Sequence, residues 1–233
     1  MILWAGIPSY SCNVVVERFP NQPGPSRRYE IIQVPGRNGD LLIDSGAYDN
    51  YTQSYEVYFN AECRRTPAAA RAVRQWLQQP VGYQRLEDSY DGDFFRMAYY
   101  SGPADIENLM NLFGRMVISF ICKPQRWRKD GQFPTLLSSP SSLYNGGFPA
   151  LPLIQVNGNG AGNLYVGPYT VEIQELDGHI LLDSETQNAY KDALNKNSAI
   201  STSAFPVLEA GENTISWDGG VTSVEIIPRW WTI

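Results

Sequence analysis

A single histidine, His179, is present in the 233 residues, so any scheme that needs an imidazole must run through it. It follows Asp177-Gly178, a pair that favours a hairpin turn. No GxSxG nucleophile elbow accompanies it, so a Ser/His/Asp triad is not indicated. The acidic run Asp88-Ser-Tyr-Asp-Gly-Asp93 carries carboxylates enough for calcium, but it lacks the EF-hand spacing and closing Glu and reads as a solvated loop. Asn157-Gly-Asn-Gly-Ala-Gly162 is rich in glycine, yet no helix pattern follows to make it a phosphate cradle. A glycosidase needs two carboxylates held about 5–10 Å apart, and the acidic second half singles out no pair. Cys12, Cys63 and Cys122 are odd in number and form no CxxC, which argues against zinc and for reduced, mostly buried thiols in a protein assembled in a cytosol. These residues point to no enzyme, no metal and no cofactor. Trp217, Trp230 and Trp231 could stack on sugar rings, which keeps a carbohydrate-binding β-sandwich adhesin as the alternative; core or interface packing is their other use.

Charge is unevenly distributed. Residues 1–130 hold 15 basic and 14 acidic side chains, whereas residues 131–233 hold 3 and 10. An acidic second half speaks against nucleic acid or an anionic membrane as partner, since both need a basic face. The first residues, Met-Ile-Leu-Trp-Ala-Gly-Ile-Pro, lack a basic n-region and do not read as a secretory signal. No apolar run approaches the roughly 20 residues of a membrane-spanning helix.

The elements that must position these groups are mostly β. Val14-Val15-Val16 is a short strand. Arg28–Val34 and Leu41–Asp44 flank a hairpin tip, Pro35-Gly-Arg-Asn-Gly-Asp40. Pro35-Gly36 suits the centre of a type II turn, and Asn38-Gly39 suits a type I′ turn. The tip presents Arg37 and Asp40 as charged groups. Tyr55, Val57 and Phe59 alternate on one strand face. One helix is clear: Thr66 is a good N-cap, Pro67 fits N1, and Ala69, Val73, Trp76 and Leu77 form an apolar stripe that Pro80 ends. Arg71, Arg74 and Gln75 lie toward its solvated face. A strand carries Phe94–Tyr100. Residues 103–113 fit a helix (Ile106, Leu109, Met110 and Phe113, with Gly114 as C′) or a strand and loop. Met116–Cys122 is an apolar strand that Lys123-Pro124 ends. Residues 131–142 read as a linker of Gly, Pro and Ser. Beyond it, Leu153–Val156, Leu164–Val166, Tyr169–Leu176, His179–Asp183, Thr214–Trp217 and Ser223–Ile227 read as short strands. Asn157–Gly160, Asp177-Gly178 and Asp218–Gly220 read as the turns between them, which predicts an antiparallel β-sandwich over 143–233. Glu185–Asn197 has the length of a short helix, with few apolar positions.

The order of certain residues adds a resemblance. Gly6-Ile-Pro-Ser9, then Glu30 with Val34-Pro-Gly-Arg-Asn-Gly-Asp-Leu41, Trp76-Leu77, Gly114 with Phe120-Ile-Cys-Lys-Pro124, Asn145 and Pro149, Leu181-Leu-Asp-Ser184, Gly211-x-Asn213 and Pro228-Arg229 together resemble the distal tail proteins of long-tailed, siphovirus-type phages. The match spans nearly the whole chain. It implies a ring-forming N-terminal belt domain (1–130) with one helix and a galectin-like C-terminal sandwich (143–233). It implies a homohexameric ring, located in the virion at the distal tail tip and assembled in the bacterial host cytoplasm. Its implied partners are the tail tube protein on one face and the tail-associated hub or lysin protein on the other. The outer domains can carry receptor-binding proteins, and no nucleic acid or membrane insertion is implied. A six-membered ring needs a heterologous interface. The tip Pro35, Gly36, Arg37, Asn38, Gly39 and Asp40 and the helix-face Arg71 and Arg74 are its expected contributors. Galectins bind sugar through a His/Asn/Arg set beside a Trp. Here His179 stands alone and Arg229 is the single second-half arginine, so the likeness is one of shape. A second domain of about 90 residues fits a compact adaptor.

Overall fold

A computed structural model describes residues 1–60, 66–104, 107–109 and 113–233. The chain is mostly β with one helix, and it divides into two compact units, Met1–Arg126 and Trp127–Thr232.

In the first unit the strands are β1 (Ile2–Trp4), β2 (Ile7–Pro8), β3 (Val14–Val16), β4 (Arg27–Ile32), β5 (Leu41–Tyr48) and β6 (Tyr51–Asn60). Helix α1 (Thr66–Gln78) follows, then β7 (Gln84–Asp88), β8 (Phe94–Tyr100), β9 (Glu107–Leu109) and β10 (Phe113–Arg128). The main sheet runs β2-β1-β7-β8-β10-β6-β3, antiparallel where the registers are given, with β9 added on β10. Strand β6 buries Tyr55, Val57 and Phe59, as its alternation predicts. Helix α1 lays Ala70, Val73, Trp76 and Leu77 on the same core, and the Trp76 indole N–H donates to the Ile7 carbonyl at 3.1 Å. Phe120 sits among Trp4, Tyr55 and Tyr100, with ring centroids 4.7–6.2 Å away, so the centre of this core is aromatic.

Several local expectations give way. A two-residue turn with positive φ at both positions does occur, but at Ala5-Gly6 (φ 49° and 79°), where it joins β1 to β2. At Asn38-Gly39 only the glycine has positive φ, so no type I′ turn forms there. Gly114 does not cap a helix. It lies in β10 opposite Phe59, and a Cβ at Gly114 would come within 2.1 Å of that ring. Of the ambiguous stretch 103–113, residues 107–109 are strand, and 105–106 and 110–112 fall outside the described residues. Pro124 does not end β10. The pairing with β6 stops at Cys122↔Tyr51, so Pro124 occupies a position where no partner in β6 needs its missing N–H.

The acidic run is not simply solvated. Asp88 is buried and organises a polar cluster inside the first unit. Its Oδ2 accepts from the Tyr55 hydroxyl (2.6 Å) and pairs with Arg96 (3.1 Å), and its Oδ1 accepts the backbone N–H groups of Tyr90 and Asp91. Arg96 is 1% exposed and also pairs with Asp91 at 2.8 Å and donates to Tyr51. Burial and the Asp88 charge push the Tyr55 hydroxyl well above its ordinary value, so it stays protonated as donor. Burial alone would lower the Arg96 guanidinium; the surrounding tyrosines and carboxylates outweigh that and raise it. The Cys122 thiol, wholly buried, is pushed up to about 12 by desolvation, and Cys12 is raised for the same reason. Both are free thiols, and Cys63 lies outside the described residues.

The second unit contains β11 (Thr135–Leu137), β12 (Ser141–Asn145), β13 (Leu153–Val166), β14 (Tyr169–Asp183), β15 (Asn188–Lys191), β16 (Leu194–Asn195), β17 (Ile200–Thr202), β18 (Gly211–Ile227) and β19 (Trp231–Thr232). Its sheet runs β11-β18-β13-β14-β15-β16, with β12 on β18 and β17 on β14. The expected linker 131–142 is therefore largely sheet: β11 and β12 both pair with β18, and their Ser- and Pro-rich composition is that of short edge strands. The expected helix over 185–197 is instead β15 and β16, with positive φ at Gln187 and Asp192 where a helix could not continue.

The glycine-rich segments are not hairpin turns. They sit inside three long neighbouring strands and face one another: Gly158 pairs with Gly178 in β14 and with Val221 in β18, and Gly162 pairs with Gly219. Register shifts occur there in both pairings. In β14 the buried side chains change phase across this line, from Val171 and Ile173 to Leu176, Ile180 and Leu182; in β18 they change from Ile215 and Val221 to Val224 and Ile226. Bulges of this kind bend a sheet and re-aim its side chains, so both halves of each strand feed one core. A Cβ at Gly158 would come within 2.0 Å of the Gly220 carbonyl, and one at Gly220 within 2.0 Å of the Asn159 carbonyl. Only glycine allows the backbones to approach this closely.

Two outcomes follow for stability. Gly114→Val should cost about 1–3 kcal/mol, because the Phe59 ring must leave its place over the strand; urea unfolding measures it, and an unchanged midpoint would refute the packing. Asp88→Ala should cost about 3–5 kcal/mol by stripping a buried guanidinium of its main partner, where a loss below about 1 kcal/mol would show that the cluster contributes little.

Candidate functional site

The hairpin with the charged tip is the most exposed element of the first unit. Strands β4 and β5 form a two-stranded sheet of their own, separate from the main sheet. Ile32 pairs with Leu41, Ile31 with Leu42, Glu30 with Ile43 and Tyr29 with Asp44. Directly opposed residues share a face and neighbours alternate. One face therefore carries Ile32, Leu41, Ile43 and Glu30, and the other carries Tyr29, Ile31, Leu42 and Asp44. Ile31 is 60% and Leu42 59% exposed, and Tyr29, Leu41 and Ile43 are exposed as well. Both faces of this ribbon are thus open and mainly apolar, with Glu30 on the first and Asp44, paired with Arg27, on the second.

Its base is fixed by charge. Arg27 pairs with Asp44, Arg28 pairs with Asp49 at 2.6 Å, and the Ser45 hydroxyl donates to the Arg28 carbonyl. The hydrogen bond and charge of Arg27, together with the Gly46 N–H, hold the Asp44 carboxyl below the usual carboxylate range. At the tip the Arg37 N–H donates to the Val34 carbonyl at 3.1 Å with Gly36 at φ 80°, the turn expected of Pro35-Gly36. Gln33, Val34, Pro35, Arg37, Gly39 and Asp40 wall a shallow hollow. Among the described residues neither Arg37 nor Asp40 makes an ion pair. Arg71 and Arg74 lie on the exposed face of α1, as predicted, and Arg74 donates to the Ala104 carbonyl at 3.3 Å. No hydrogen bond or ion pair among the described residues joins the helix face to the tip.

The structure assigns different work to the groups considered for catalysis and sugar binding. His179 lies within β14 opposite Asn157 rather than at a turn, 3.8 Å from an Asp192 carboxylate oxygen. Trp217, Trp230 and Trp231 are half-buried against the second core. Trp231 stacks on Phe148 (centroids 4.8 Å apart, planes at 18°) and its indole N–H donates to the Pro149 carbonyl.

Residues scattered along the sequence act as pins within each unit. Asn145 donates to the Phe148 and Leu208 carbonyls and accepts from the Gly147 N–H. Asn213 accepts from the Glu209 N–H and donates to the Glu209 and Gly211 carbonyls. Asp183 pairs with Arg229 at 2.7 Å, which joins the Leu181–Ser184 and Pro228-Arg229 segments in space. In the first unit Ser9 is buried and its hydroxyl accepts from the Ile2 N–H. Sequence reasoning missed the Asp88–Arg96 cluster and the apolar ribbon faces. The ribbon's signal was present in Tyr29, Ile31-Ile32 and the consecutive Leu41-Leu42-Ile43, apolar runs on both strands flanking the tip.

No protein-family model and no curated protein sequence matches the chain. Its fold does have a counterpart among phage tail hub proteins, over the full length. The counterpart is the Dit protein of phage SPP1, described as a paradigm of the hub adsorption apparatus in phages infecting Gram-positive bacteria: TM-score 0.77, with 10% sequence identity, 100% of this chain and 98% of that chain covered. At that identity the likeness is one of fold, and the chain has a Dit-type fold. A second match, to the baseplate of phage P2 in its activated conformation, has a TM-score of 0.48 and 9% identity over 92% of this chain and 89% of that one.

The Asp183–Arg229 pin has a pH signature. Burial opposes ionisation of Asp183, but the hydrogen bond and charge of Arg229 outweigh it and lower its pKa below the usual range. A depressed folded value contributes stability above the unfolded value of about 3.9, lost as pH falls through the folded value. Arg229→Gln should therefore be less stable than wild type at pH 6, with the gap closing below about pH 4; a gap that widens on acidification would contradict the pairing.

Proposed function

We propose that this chain is a structural virion protein: the hexameric ring, or hub, at the distal end of a long phage tail, joining the tail tube to the tail-tip proteins. The observation that carries the reading is the full-length fold agreement with SPP1 Dit, a hub protein. In this reading residues 1–130 are the belt domain that forms the ring, and residues 143–233 are a galectin-like outer domain. One ring face meets the tail tube protein, and the other meets the tail-associated hub or lysin protein. The outer domains carry receptor-binding proteins. Assembly takes place in the bacterial host cytoplasm.

Exposed apolar surface supports the reading independently. A free two-stranded hairpin is marginal in water, and one with apolar residues on both faces needs cover. A ring interface supplies it. The near-even charge of residues 1–130 lets six copies approach without strong repulsion. We assign the interface to the ribbon and its tip, Pro35–Asp40, with Arg71 and Arg74 of α1 as rim groups. Rim charges contribute little, so the apolar ribbon residues dominate.

Native mass spectrometry of the purified chain should show a hexamer of the 26.1 kDa subunit. Ile31→Asp should shift it to monomer, whereas Arg37→Ala should weaken it less than about tenfold. A strict monomer for wild type at high concentration would contradict the ring.

A further inference from the structure

A closed ring of identical copies needs two different surfaces on each subunit. The ribbon is one. The second must lie elsewhere on the first unit, and the exposed apolar residues there narrow the choice. Val81, Ile7 and Tyr10 lie outside any shared strand face. Val15, Tyr58 and Val117 share one: Val15 pairs with Tyr58, Tyr58 with Arg115, and Val117 with Glu56, so all project from the side of β3-β6-β10 opposite the core. Phe19, 64% exposed, stands at their edge. Between them is a cleft of about 220 Å³ walled by Arg18, Phe19, Pro20, Ser54, Glu56 and Val117. The cleft has room for an aliphatic side chain.

We infer that this outer sheet face receives the β4–β5 ribbon of a second copy. The inference rests on the ring reading and names the surface that reading leaves open. Three features match the two. Each presents apolar side chains beside β-strand backbone. Each is bordered by charges already neutralised within the subunit: Arg27–Asp44 and Arg28–Asp49 at the ribbon, Arg18–Glu56 and Arg115–Glu17 on the sheet face. The charges nearest these apolar residues are therefore largely paired before contact, which limits the desolvation cost of docking. The size also fits: Tyr29, Ile31 and Leu42, which share one ribbon face, leave on the order of 300 Å² exposed, a substantial part of the roughly 800 Å² that one partner contributes to a stable interface.

Complementation tests the inference. Leu42→Asp spoils the ribbon and leaves the sheet face intact, while Val117→Asp does the reverse. Both positions are exposed, so melting temperatures should match that of an assembly-deficient ribbon variant such as Ile31→Asp. Each variant alone should be monomeric by native mass spectrometry. An equimolar mixture should form mixed dimers and nothing larger, because one intact junction exists per pair and neither remaining surface can propagate. Val117→Asp that still forms rings, or a mixture that stays monomeric while wild type is hexameric, overturns the docking and leaves the ring reading standing. Monomeric wild type removes the ring reading and the docking with it.

Discussion

Apolar surface left in water costs about 25 cal/mol for each Å², and an unpaired strand leaves a row of backbone donors and acceptors seeking partners. This chain meets both demands through nearly all of its length. Its long strands pair on both sides, its two cores are filled, and its deepest charges are matched. The β4–β5 ribbon is where the demand is left unmet. Uncovered, its apolar side chains carry a burden on the order of 10 kcal/mol, comparable with the whole stability of a typical domain. The remainder of the first unit can be understood as the rigid mount for that ribbon.

The mount is built by polar as well as apolar packing. Asp88 ties Tyr55 of β6, Arg96 of β8 and the 90–91 backbone into one cluster, so three elements are held by one carboxylate. The aromatic centre around Phe120 and the stripe of α1 fill the space beside it. In the second unit the same economy appears as asparagine brackets and an Asp–Arg pin, which fix loop geometry without long-range secondary structure. Residues whose order along the chain suggested a tail protein are thus mainly structural. In the second unit they set backbone positions.

What was legible in the sequence was local. The helix announced itself through Ala69, Val73, Trp76 and Leu77, and β6 through its alternation, because both patterns are fixed by neighbours a few residues away. The glycine-rich segments misled, since positive φ and a missing Cβ serve a bulge as well as a turn. Only the pairing of β13 with β14 and β18 distinguishes the two. Asp88 looked solvated because its partner Arg96 is brought to it only when β7 and β8 pair and Tyr51 and Tyr55 of β6 reach the cluster. The ribbon's tip was read from its prolines and glycines, but a short apolar run looks alike in a strand that packs inward and in one left exposed. Arg37 and Asp40 drew notice as charges, whereas exposure places the larger energy on Ile31 and Leu42 beside them.

The central claim is that the ribbon is buried by assembly. Hydrogen exchange read at peptides covering 27–48 tests it most directly, comparing the assembled protein with the Ile31→Asp monomer. The account predicts strong added protection across 29–32 and 41–43 on assembly. Exchange there that stays as fast in the assembly as in the monomer would contradict it.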